Sequence, residues 1–326
     1  MEDINYAEAY RELLNKGYTP EHLRSLPKIV KLPEDIMMNE ILQHLDYQDI
    51  MTICASSHEY YKMCEKHHVL KNIYHQHFKS KDFLPEPEDY VERIIFLKKL
   101  ITLHKALEKT TTLEKFYKRK TLDIKKSWTK MDVQNNIDIL TNLQELNITY
   151  ANMTNLPLTI CNLTNLTQLN LQDNKLIELP EEIDKLINLK DLYLSTNKLT
   201  TLPSSIGNLV NLDELYINYN QLITLPENIG QLTKLTHLYL NNNKIKKLPS
   251  SICHLTNLYS LQINYNYITK LPSCIDQLAN LQWLYIRNNP IKYLPDSFKN
   301  MSVENVYLNK STMVPEEYNP KYLKYY

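Results

Sequence analysis

One pattern recurs every 23 residues between positions 143 and 302: L-x-x-L-x-L-x-x-N-x-L-x-x-L-P-x-x-I-x-x-L-x-x. The copies begin at Leu143, Leu166, Leu189, Leu212, Leu235, Leu258 and Leu281, and position nine reads Asn174, Asn197, Asn220, Asn243, Asn266 and Asn289. Only the first copy departs, with Ala151 in the asparagine slot. Repetition at this period excludes most globular folds, because one copy cannot bury its apolar wedge and must stack on neighbours to form a solenoid.

Each slot has a mechanical role. In Leu212-x-x-Leu215-x-Ile217 the two-residue spacing sends Leu215 and Ile217 to one face of a short strand and Tyr216 to the other. An asparagine side chain, with two donors and an acceptor, can close the backbone of the bend that follows. The stacked asparagines are therefore expected to form a ladder. Leucine-proline at positions 14 and 15, as in Leu202-Pro203 and Leu225-Pro226, fixes an extended turn and removes a donor, keeping the return limb out of the sheet. Seven parallel strands would make a concave sheet roughly 30 Å wide. The stretch resembles leucine-rich repeat proteins, and its LPxxIxxL half is similar to the intracellular Ras-suppressor type. The resemblance implies an α/β fold: a leucine-rich repeat solenoid with a short-stranded parallel concave sheet.

Upstream the texture changes. Residues 1–31 read as a lead-in, 32–78 as short amphipathic helices, 79–142 as a helical linker and cap, and 303–326 as a degenerate last repeat with a C-terminal cap. Pro33 with Glu34 and Asp35 suits a helix start. Ile36, Ile41, Leu42 and Leu45 then make one apolar stripe, and Asp49 opens a second helix with Ile50 and Ile53. The pattern Leu32, Pro33, Ile36, Ile41, Leu42, Leu45, Asp49, Ile50, Ile53, Ser57, Tyr60 resembles an F-box. Tyr60 replaces the usual tryptophan and Ser56 a common valine. The resemblance implies that this segment docks on a Skp-type adaptor of a cullin ubiquitin ligase, through Leu32, Pro33 and the helices behind them. The same residues also suit a simple helical cap for the solenoid.

In the linker, Val91, Ile94, Ile95, Leu97, Leu100, Ile101, Leu103 and Leu107 predict a helix with a broad buried face over 84–107. A basic segment, 113–128, reads as a second helix with a solvated face. Ile137 and Leu140 match the last apolar slots of a half-repeat. At the far end Val303, Val306 and Leu308 predict one more strand, with the pattern failing at 313–315, and the tail tyrosines Tyr318, Tyr322, Tyr325 and Tyr326 are expected to cover the last wedge.

Lysine plus arginine equal aspartate plus glutamate at 37 each, so bulk charge selects neither nucleic acid nor an acidic membrane surface as partner. No apolar run reaches the ~18 residues of a membrane span. The opening Met1 to Tyr6 has no apolar core, so no secretory signal is expected. Cys54, Cys64, Cys161, Cys253 and Cys274 fit no disulfide framework and read as reduced thiols of an intracellular protein, in cytoplasm or nucleus. Cys64, His67, His68, His75 and His77 cluster without any zinc-finger spacing and read as surface residues. The abundance of asparagine, lysine, isoleucine and tyrosine is attributed to codon bias in an AT-rich genome.

No phosphate-binding glycine loop, nucleophile elbow or paired carboxylates suggest catalysis, and no cofactor is implied. The informative residues face outward from the inner strands. Position five reads Tyr193, Tyr216, Tyr239, Gln262 and Tyr285; position three adds Asp191, Glu214, His237 and Trp283; position eight adds Tyr150, Tyr219 and Tyr265; Arg287 lies nearby. Aromatic columns suit a protein-binding surface, and they also suit plain sheet stabilisation. The expected function is a non-enzymatic substrate-recognition subunit that bridges a Skp/cullin ligase and a target held by Tyr193, Tyr216, Tyr219, His237, Tyr239, Tyr265, Trp283, Tyr285 and Arg287. The alternative is a scaffold that binds a small GTPase or another signalling protein with no ubiquitin link.

Overall fold

The computed structural model describes residues 131–315 without interruption, together with 322–325 and parts of 99–124. The F-box-like residues Leu32, Pro33, Ile36, Ile41, Leu42, Leu45, Asp49, Ile50, Ile53 and Tyr60 and the Cys64–His77 cluster lie outside the described residues. Of the helix expected over 84–107, residues 99–100, 102–103 and 105–107 are described and helical, with Leu100 and Leu103 fully buried.

Ten described strands form one parallel sheet in chain order: β1 (Thr121–Asp123), β2 (Glu145–Asn147), β3 (Gln168–Asn170), β4 (Asp191–Tyr193), β5 (Glu214–Tyr216), β6 (His237–Tyr239), β7 (Ser260–Gln262), β8 (Trp283–Tyr285), β9 (Asn305–Leu308) and β10 (Tyr322–Tyr325). The register follows the repeat, with Leu169 opposite Leu192 and Leu192 opposite Leu215. Central strand leucines are buried and their neighbours half exposed, the alternation the spacing predicts.

The return limb is a 3-10 turn entered through the proline. Pro203 is extended (φ −64°, ψ 153°) and precedes the turn Ser204–Asn208, and Pro226 does the same for Glu227–Gln231. The proline carbonyl accepts the N–H of the repeat's isoleucine, as Pro203 does from Ile206 at 3.2 Å. The first coils use short helices instead, α1 (Met131–Asn136) and α2 (Leu158–Cys161).

The asparagine ladder is present, and it joins coils through their backbones. Asn220 Oδ1 accepts the N–H of Leu199 in the preceding coil at 3.0 Å. Its Nδ2 donates to Leu194 O, also one coil back, at 2.9 Å, and to Ile217 O in its own coil. At the entrance, where Ala151 supplies no amide, Asn174 Oδ1 takes both Ala151 and Met153 N–H groups. Two further ladders run beside it. At position seven Asn218, Asn241 and Asn264 each accept the N–H of the next coil's equivalent residue at 2.8–2.9 Å. At position 23 Asn188 and Asn211 donate to carbonyls of the preceding coil, Thr164 and Ile187.

Two expectations are corrected and a third takes a more definite form. The segment 113–128 is not one helix, because Thr121–Asp123 pairs with β2 and places Leu122 and Ile124 in the core. It adds a coil whose Leu122 and Leu146 are 24 residues apart in register, which hides it from a 23-residue scan. At the other end the tail's cover of the last coil takes the form of a strand: Tyr322–Tyr325 pairs with β9 as a tenth strand, while Tyr318 and Tyr326 lie outside the described residues. Finally, Cys253 and Cys274 are disulfide-bonded, with Cα atoms 5.9 Å apart, a span natural to the bond. Their separation of 21 disguises the proximity, since position 19 of one coil lies against position 17 of the next. Gly230 and Ser251 meet the same way, and a Cβ on Gly230 would run into the Ser251 carbonyl. Where the preceding turn has five residues, the turn that follows Cys274 is reduced to Ile275–Gln277. Cys161 is free and buried, and burial pushes its thiol up to about 11.

Candidate binding face

The outward positions of the strands make one surface with two aromatic clusters. Tyr193 stacks on Tyr216 with centroids 4.8 Å apart, and Tyr216 meets Tyr239 at 4.5 Å. Strand spacing of about 4.8 Å imposes this stacking once tyrosine recurs at position five. Gln262 interrupts the column, and its side chain accepts from Asn241. Beyond it Tyr285 stacks on Tyr307 at 4.4 Å, with Trp283 6.2 Å from Tyr285 and 6.5 Å from Tyr307. Arg287 and Lys324 each lie 4.9 Å from the Tyr307 ring centre, a cation–π distance.

The polar groups between the rings are tied to them. Tyr216 donates its hydroxyl to Glu214 at 2.8 Å, and Gln168 donates to the Tyr193 oxygen at 3.3 Å. Burial and the Glu214 carboxylate push the Tyr216 phenol above its ordinary range; burial does the same to Tyr193, Tyr239 and Tyr285. Asp191 faces Glu214 across the strand pair, and partial burial, then Glu214 and Asp213, raise its carboxyl. His237 lies 4.0 Å from Glu214 and within 5.9 Å of both the Tyr239 and Tyr259 rings.

Tyr193, Tyr216, His237, Tyr239, Trp283, Tyr285 and Arg287 thus share the strand face. Tyr219 and Tyr265 do not join the columns. They occupy position eight, beyond the strands, and two coil spacings, roughly 10 Å, separate them. There every copy from Tyr150 to Asn288 has a positive φ of 53–58°, without a single glycine. Tyr150, Tyr219 and Tyr265 are held in this conformation about 60% exposed, at a backbone cost of about 1–2 kcal/mol each. Three residues of the face were not anticipated, Lys324 among them because it arrives on the tail strand β10. Tyr307 escaped because the last step is 22 residues, from Tyr285 to Tyr307. Tyr259, 44% exposed, receives the Trp283 indole N–H at 3.3 Å from the edge row at position two.

Where the tyrosine column stops, the face holds a polar pocket of about 300 Å³ lined by Asp123, Glu145, Asn147, Gln168, Asn170 and Tyr193 over Leu122 and Leu146. A groove of about 420 Å³ lies elsewhere, over the leucine-proline turns beside Cys274.

A family model described as a leucine-rich repeat region matches residues 97–220, and a second leucine-rich repeat model matches 226–291. These coils are leucine-rich repeats. The first match begins well before Leu143, in keeping with the extra coil at β1. Among solved structures the solenoid is similar to a leucine-rich repeat protein of Leptospira interrogans, 32% identical, with a TM-score of 0.50, covering 68% of this chain and 64% of that one. It is also similar to the leucine-rich repeat ectodomain of the plant membrane receptor kinase GASSHO1/SCHENGEN3 from Arabidopsis thaliana, solved in complex with Casparian strip integrity factor 2. That likeness is 27% identical, with a TM-score of 0.52, covering 58% of this chain and 24% of that one. The chain therefore spans less than two thirds of either protein. No curated protein matches the sequence. Among the described residues no helix is long and apolar enough to cross a membrane, and no group of three or more histidines, cysteines or carboxylates is placed to hold a metal ion.

Proposed function

We propose that this chain is a non-catalytic recognition subunit whose leucine-rich repeat solenoid holds a target protein on the strand face, while the F-box-like segment 32–78 holds a Skp-type adaptor of a cullin ubiquitin ligase. The observation that carries the first half is the varied face itself: Tyr216, Tyr239, His237, Trp283 and Arg287 project from a rigid hydrogen-bonded sheet and stay half exposed. Rigid aromatic side chains lose little entropy on binding and supply most hot-spot energy. A purely structural stack has no need of histidine, tryptophan and arginine in the same rows. The second half rests on the Leu32-Pro33 pattern and its resemblance.

Pull-down of target by the intact protein and by a Tyr216/Tyr239/Trp283 triple alanine variant tests the face; equal recovery with a native circular dichroism spectrum excludes it. Co-purification with a Skp-type adaptor tests the hook. Adaptor recovery unchanged by Leu32→Ala, Pro33→Ala and Ile36→Ala excludes the docking surface.

A second reading is a binding module without a ubiquitin link. The Cys253–Cys274 disulfide favours it, since such bonds persist mainly in oxidising compartments. Thiol titration of protein isolated from its native cell under alkylating conditions separates the two: an oxidised pair supports the second reading, and free thiols support the ligase subunit.

A further inference from the structure

The strand face is charged asymmetrically. Over β2 to β5 it carries Glu145, Asp191 and Glu214 at position three, with Asp123 on β1 and Asp213 at the edge. The cations that flank the second aromatic cluster, Arg287 and Lys324, lie at the far end. Asp191 and Glu214 are directly paired across neighbouring strands, an arrangement that costs the sheet stability. Lys190 lies in the position-two row and is exposed, while Glu214 takes Tyr216 and His237 as neighbours. Over β1 to β4 the polar pocket sets Glu145, Asn147 and Gln168 around Tyr193. A carboxylate wall and an aromatic edge make a cavity suited to a cationic donor.

We propose that this half of the face takes an extended basic segment of a partner protein, lying across the strands. One arginine or lysine enters the pocket between Glu145, Asn147 and Tyr193. A second lies over the Asp191–Glu214 pair beside Tyr216. The two seats are about two strand spacings apart, roughly 10 Å, which an extended chain covers in about three residues. Basic side chains at i and i+3 are therefore the chemical signature of the partner. The proposal rests on the strand face being the binding surface and adds its charge preference.

The test is fluorescence anisotropy with the full chain. The probe is a labelled glycine-serine peptide of about twelve residues with arginine at every third position; the control carries glutamate at the same places. The arginine probe is expected to bind and the glutamate probe not. The isosteric double variant Asp191→Asn/Glu214→Gln is expected to weaken the arginine probe at least tenfold, and Glu145→Gln at least threefold. Raising salt from about 50 to about 200 mM should weaken it as well. Equal binding of the two probes overturns the proposal, and so does an affinity indifferent to both variants. If the double variant melts abnormally, Glu145→Gln, at an exposed position, decides alone. Should the triple alanine variant lose its target while the arginine probe ignores the carboxylates, the face stands as a binding surface and its basic preference falls.

Discussion

Two columns climb this molecule with the same period and opposite fates. The position-nine asparagines are 5–8% exposed, and each is fully engaged by backbone groups of its own and the preceding coil. The tyrosines at position five repeat as regularly, yet stay half exposed, touch mainly each other and give way to Gln262 midway. Periodicity alone therefore does not separate scaffold from binding surface. What separates them is whether the repeated group is satisfied by the fold: a buried amide with all its partners in the chain has no capacity left for a ligand, and a half-exposed phenol does.

The sharpest way to break this contrast is to remove one rung. Asn220→Ala strands the Leu199 N–H, worth about 1–3 kcal/mol if left unmet, and takes one of two amide donors from the Leu194 and Ile217 carbonyls, which keep Asn197 and Asn243, worth about 0.5–1.5 kcal/mol each. A loss of roughly 3–5 kcal/mol in urea unfolding is expected, with no specific effect on partner affinity in the protein that remains folded. A smaller loss applies to the cross-link at the turn edge. The Cys253→Ser/Cys274→Ser variant releases a loop of 21 residues and should lose about 3 kcal/mol. Reduction should lower the intact protein's melting temperature and leave the variant's unchanged; equal responses would show that the bond does not constrain the unfolded chain.

The wedge, the strand and the nine-slot ladder were legible because each depends on a residue type at a fixed step. Leu215, Ile217 and Asn220 can do little else at their spacing. What stayed hidden broke the step or used no distinctive residue. The coil at β1 lacks a leading leucine, steps by 24 residues and sits in a basic stretch that reads as helix. Tyr307 is displaced by a 22-residue step. The left-handed bend at position eight is filled by tyrosine, aspartate, threonine and asparagine, so no glycine marks it. The ladders at positions seven and 23 were absorbed into a compositional bias assigned to codons, whereas Asn218, Asn241, Asn188 and Asn211 have structural work in every coil they occupy. The Cys253–Cys274 contact follows from how one turn leans on the next, a relation that no single repeat contains.

On the other side of the contrast, truncating a tyrosine should cost little stability and much binding. Tyr216→Ala removes two ring contacts, at 4.8 and 4.5 Å, worth up to ~1 kcal/mol each, so a loss of about 1–2 kcal/mol in thermal unfolding is expected. If target affinity falls no more than stability, the tyrosine column is a brace like the asparagines.

The smallest effect carries the opposite sign. Asp191 has a carboxyl raised by partial burial and by its neighbours Glu214 and Asp213, so the folded state prefers it protonated more than the unfolded state does. Its contribution to stability is complete below the unfolded carboxylate pKa and is lost as pH rises through the folded one. At neutral pH the ionised group therefore works against the fold. Asp191→Asn should stabilise the protein there by less than about 1 kcal/mol, since the site is largely solvated, and the gain should vanish as pH falls below the carboxylate range. Such a gain would set Asp191 apart from the ladder asparagines, whose replacement can only weaken the fold. A neutral-pH stability unchanged or reduced by Asp191→Asn would place this carboxylate with the asparagines, as part of the scaffold.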